Sequence, residues 1–159
     1  MNLELWFPLL GLALWLGAMS VHDLRTRQVP NWLTLPPLVA VWAWQLAQGR
    51  WQALVPILPL YLLWRLNVIG GADAKVLMAL FGLWPTMAFL LFFCLGYLVI
   101  MLPVILWRHR QGLGSVGRRM LATLRGGFPS QEELEMHGLP AIPVYAVVAV
   151  AYAALQGAI

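Results

Sequence analysis

Charge is scarce in this chain and cysteine nearly absent. Asp, Glu, Lys and Arg make up 10% of the 159 residues, and no polar stretch is long enough for a separate soluble domain. The single cysteine, Cys94, lies inside the apolar run 90–100, where it behaves as a small hydrophobe without an intramolecular partner. Disulfides and Cys-cluster zinc sites are thereby excluded. His109 and His137 stand far apart in sequence without metal-ligand spacing, so neither a metal nor a cofactor is expected. The net charge of +4 comes from basic residues scattered through short connections between apolar runs, where membrane orientation signals accumulate. It therefore reads as topology and not as a nucleic-acid surface.

What the chain has is apolar length. With 62% hydrophobic residues and nine tryptophans it reads as an all-α integral membrane protein, a single transmembrane domain over 1–159. Six spans are expected, at about 5–21, 33–48, 53–68, 73–84, 86–107 and 139–155, with a cytoplasmic loop at 108–138. Met1-Asn2-Leu3-Glu4 carries an acid where a secretory signal carries Lys or Arg, so the first run is expected to stay as a helix. The apolar stretch 76–107 exceeds one span, and Gly82-Leu83-Trp84-Pro85 splits it. The piece before the break, at about 1.5 Å per residue, is a short fourth helix that leaves room for water near its start. Trp6, Trp32, Trp51, Trp84 and Trp107 fall near helix ends, as an interfacial belt does. Nine of the ten Lys and Arg fall on one side, which places that side in the cytoplasm and both termini across the membrane. Arg50 alone falls on the other.

Two acids then stand at the cytoplasmic edge: Asp23 in His22-Asp23-Leu24-Arg25, and Asp73 in Gly70-Gly71-Ala72-Asp73-Ala74-Lys75. An ionisable group at membrane depth needs a partner, a wet cavity or a chemical role. Each has a plain reading. Asp23 can be a loop acid paired with Arg25 or Arg27, and Asp73 an acid favoured by the dipole at a helix start. Together they fit two carboxyls sharing one proton, since like charges a few ångströms apart cannot both ionise. The ionised one activates a water against a peptide carbonyl; the protonated one donates to the carbonyl oxygen and helps the amine leave. Gly70, Gly71 and Ala72 are small enough to let a substrate backbone approach Asp73. Between the acids, Pro30 fixes the backbone and Asn31 is a good N-cap for a helix starting at Trp32.

The segments Asp23-Leu24-Arg25-x-Arg27-x-Val29-Pro30-Asn31 and Gly70-Gly71-Ala72-Asp73-x-Lys75 resemble the two signature segments of type IV prepilin peptidases, and the chain's size is similar to the short branch serving Tad/Flp pili. The resemblance implies an aspartyl endopeptidase of the bacterial inner membrane that removes the short basic leader of prepilins or pseudopilins, with membrane lipid around it and the pilus or secretion machinery as a further partner. It makes Asp23 and Asp73 the catalytic pair, with Gly70, Gly71, Ala72 and Lys75 as backbone and substrate support. The family's second motif is usually Gly-x-Gly-Asp, and here Ala72 replaces the second glycine, a residue that adopts positive φ less cheaply. Larger members also methylate the new N-terminus and carry paired cysteines in the first cytoplasmic loop. This chain's first link is about ten residues long, so peptidase activity without methyl transfer is expected.

Other polar residues keep two readings. Lys75, Arg25 and Arg27 either hold the acids' charge or snorkel to headgroups, and His22 either tunes Asp23 or is structural. Gln45 and Asn67 pair across helices or face a cavity. The stretch 108–138 places Val116, Met120, Leu121 and Leu124 near one face of a surface helix, followed by Glu132, Glu133 and Glu135. From other classes, a small transporter or proton-relay subunit and an inactive pilus-assembly scaffold are the rivals. Both acids lying at one face instead of the midplane weighs against transport.

Overall fold

A short apolar helix is the one the rest surrounds. In the computed structural model, which describes residues 3–108 and 140–158, the helix Gly71–Leu83 is buried on every side from Val76 to Gly82. A helix apolar all round has no face to offer solvent and belongs in the interior. The described residues form six α-helices and no strand: α1 (Leu3–Thr26), α2 (Asn31–Ala47), α3 (Ile57–Arg65), α4 (Gly71–Leu83), α5 (Met87–Arg108) and α6 (Ile142–Ala158). α4 packs against α2 and α3 on one side, and α6 lies against α1, α5 and α4. The expected loop 108–138, with its surface helix and acidic patch, lies outside the described residues apart from Arg108 at the end of α5.

The last helix starts three residues later than expected, at Ile142, and the boundaries depart further at three other places. α1 runs on to Thr26, past the expected end at residue 21, because Asp23 continues its buried face instead of leaving the core. The first link shrinks accordingly from about ten residues to Arg27–Pro30, and Arg27 ends the helix in the left-handed region at φ 56°. Asn31 is the first residue of α2 and not its cap, a place taken by Pro30. The third run is broken into a 3₁₀ turn at Trp51–Leu54 and a nine-residue α3, since Pro56 cannot donate to a continuous ladder.

The break before α5 falls where the sequence puts it. α4 ends at Leu83, and the Thr86 hydroxyl accepts the Phe89 N–H at 3.2 Å as α5 starts. At that end Gln45 of α2 donates to the Gly82 carbonyl at 2.7 Å, so its amide caps α4 instead of facing a cavity. Phe81 of α4 meets Phe89 and Phe93 of α5 edge to face with centroids 5.1 and 5.5 Å apart, and Tyr152 of α6 closes on Phe89 at 4.9 Å. α5 and α6 pack closely at Gly96, where an added Cβ would sit 2.9 Å from Val148 Cγ2. Gly96→Ala is expected to lower thermal stability by about 1–3 kcal/mol, read from its melting curve in detergent, because stiff Val148 cannot give way.

By length and apolarity, Met87–Trp107 is the one helix among the described residues that can cross a membrane unaided; Ile142–Gln156 is apolar but shorter. Large apolar side chains on α5, among them Leu91, Leu95, Leu98, Val99 and Leu102, point outward and stay exposed.

Candidate active site

Asp23 faces inward because it falls on the core stripe of α1. Leu16 and Met19 are fully buried, and Asp23, one turn beyond Met19, is 9% exposed. The turn is held by Thr26, whose hydroxyl donates to the carbonyl of His22 or of Gln28. The Asp23 carboxylate meets the start of α6, where the Ile142 N–H donates to Oδ2 at 3.2 Å. That amide has no partner within its own helix, and the positive end of the helix dipole favours an anion there. Asp23 lies beyond the apolar run of α1. Burial pushes its carboxyl above the ordinary carboxylate range, opposed by the Ile142 amide and by the Arg27 guanidinium.

Asp73 reaches the same place from α4. Gly70 ends the preceding loop as N-cap, at φ −65° and ψ 153°, and Asp73 follows in the first turn. Asp23 and Asp73 both line one open cavity of about 1070 Å³, and the charge of Asp23 acts on Asp73. Among the described residues no hydrogen bond reaches the Asp73 side chain.

The remaining expected residues, Gly70, Gly71, Ala72 and Lys75, line this cavity as well. The glycines are needed for space and not for backbone freedom: among described glycines only Gly49 has positive φ. A Cβ on Gly70 would stand 3.2 Å from Asp73 Oδ2, and one on Gly71 would stand 3.2 Å from Trp64 Nε1. Ala72 lies inside the helix without positive φ, so alanine in place of the motif glycine strains nothing here. Lys75 donates to Asn31 Oδ1, which ties α4 to the start of α2 at the cavity rim. Lys75→Met is expected to lower melting stability by no more than about 1 kcal/mol, since the pair is partly exposed.

Among the cavity residues that the sequence pattern does not single out are two phenols, Tyr97 on α5 and Tyr145 on α6. Their ring centroids lie 5.7 Å apart, and both side chains are within electrostatic reach of the Asp73 carboxyl. The available signal was a phenol inside an apolar helix, whose hydroxyl needs a polar neighbour.

The model of the type IV leader peptidase family matches residues 10–106, which takes in both acids, the glycine pair and Lys75. The chain belongs to the type IV leader peptidase family. Comparisons with curated proteins and with solved structures returned no match. Membership makes the protein a peptidase with a prepilin-like substrate. α6 lies beyond the matched segment, yet in this leader peptidase it supplies the amide on Asp23 and the Tyr145 phenol.

Proposed function

We propose that this peptidase is a multi-pass aspartyl endopeptidase of the bacterial inner membrane that removes the basic leader of prepilins or pseudopilins at the cytoplasmic face. The observation that carries the proposal is the meeting of Asp23 and Asp73, 50 residues apart in sequence, at one cavity. Asp23 is the base: the Ile142 amide and Arg27 favour its ionised form. Asp73, without such donors, holds the shared proton and directs it at the scissile carbonyl oxygen. As water adds to the carbonyl carbon, Asp23 takes its proton; as the carbon–nitrogen bond breaks, the pair returns one to the departing amine.

The cavity is bounded by the α1–α2 link, the start of α4 and the start of α6, so it opens at one end of the helices. That geometry suits a protease reaching a segment at the membrane edge better than a relay through the midplane. The outward apolar side chains of α5 suit lipid contact, and the shorter helices need neighbours and local thinning to sit in a bilayer about 30 Å thick. Methyl transfer has no part in this reading.

The test is co-expression of a prepilin with the wild type and with an Asp23→Asn, Asp73→Asn double variant, followed by intact mass of the prepilin. Leader loss with the wild type and its absence with an equally inserted double variant is the expected result. Equal processing by both sinks the aspartyl reading, and failure of the wild type on several prepilins favours a scaffold.

A further inference from the structure

Tyr145 stands three residues after the amide that holds Asp23, one turn along the same helix. It is 5% exposed and lines the cavity shared by both acids. Its ring is fixed by Phe93 at 5.5 Å and Tyr97 at 5.7 Å between centroids, so the phenol is held by two helices and not by a loop. A hydroxyl removed from water needs a hydrogen-bond partner, and among the described residues no protein group bonds that of Tyr145. Among the described residues the buried side-chain atoms sealed without a partner are Trp42 Nε1 and Gln45 Oε1, and the Tyr145 oxygen is not one of them. It opens on the cavity instead. The carboxyls of both Asp73 and Asp23 lie within electrostatic reach of Tyr145, whereas Tyr97 is in reach of that of Asp73.

We propose that Tyr145 is a catalytic hydrogen-bond donor, its O–H directed at the scissile carbonyl oxygen beside the Asp73 proton. This rests on the aspartyl reading above. When water oxygen bonds to the carbonyl carbon, the carbonyl electron pair moves onto oxygen and a water proton passes to Asp23. Tyr145 keeps its own proton and stabilises the charge developing on that oxygen, then releases it as the carbon–nitrogen bond breaks. A fixed donor aimed at developing charge needs no reorganisation during the step, which is why it lowers the barrier more than it strengthens binding.

The experiment uses the full chain in lipid vesicles with a purified prepilin, and separates kcat from KM. Tyr145→Phe keeps both ring contacts and is expected to lower kcat about a hundredfold while KM moves less than about threefold. Replacing Tyr145 by 3-fluorotyrosine keeps shape and donor, and is expected to hold kcat within about tenfold of the wild type. A Tyr145→Phe enzyme with wild-type kcat, or a loss confined to KM, overturns the proposal while leaving the aspartyl reading intact. So does a fluorotyrosine enzyme as slow as the phenylalanine variant. Cleavage that survives the double aspartate replacement overturns both together.

Discussion

Asp23→Asn is expected to remove leader cleavage, by about 10²–10⁴-fold in kcat, without weakening the fold. Asparagine has the shape of aspartate and its oxygen still accepts the Ile142 N–H, so the tie between α1 and α6 survives. What disappears is the charge that takes the proton from water. The stability side has a definite sign. Burial raises the Asp23 pKa in the folded state, so this group's contribution is full below the unfolded carboxylate pKa and falls as pH rises through the folded one. At neutral pH the ionised carboxylate is therefore a burden on the fold, and Asp23→Asn should melt no lower than the wild type. Melting curves from pH 4 to pH 8 check this: the wild type should lose ground on the variant as pH rises. An inactive variant that also melts far lower would instead show Asp23 holding the helices together. The pH–rate profile should be bell-shaped, since the pair needs one shared proton. It fails in acid when both carboxyls are protonated and in base when neither is.

The helical inventory was legible because apolar runs and the Pro85 break report directly on where a helix can and cannot continue. The end of α1 was not. Asp23 interrupts the apolar run, so pattern reading stops at Val21, while in three dimensions the acid is the next residue on the stripe of Leu16 and Met19. Its partner is the amide of Ile142, 119 residues away, and no local pattern announces a backbone donor. The two tyrosines were missed for a related reason: within apolar helices a phenol looks like packing until the cavity on its polar side is seen. In the sequence, Gly70, Gly71 and Ala72 read as small residues that let a substrate backbone approach Asp73. The sequence could not say that the space at Gly70 and Gly71 is taken by Asp73 and Trp64 of the chain itself.

That space gives the second large prediction. Gly70→Ala is expected to lower kcat about a hundredfold while changing melting stability by less than about 1 kcal/mol. Gly70 has ordinary extended backbone, which alanine adopts without strain, so folding loses little. The new methyl, however, would lie 3.2 Å from Asp73 Oδ2 and 3.9 Å from its Cγ. Something must yield by a few tenths of an ångström, and the freest element is the Asp73 carboxyl, which no hydrogen bond among the described residues holds in place. Its displacement turns the proton away from the scissile carbonyl, and small misplacements at a reacting centre are costly in rate. Gly71→Ala is the matching comparison, because its methyl meets the Trp64 indole and not the acid. If Gly70→Ala loses rate in the vesicle assay and Gly71→Ala loses chiefly stability, the first glycine is there for Asp73. Equal kinetic losses would return the glycine pair to the role of admitting substrate.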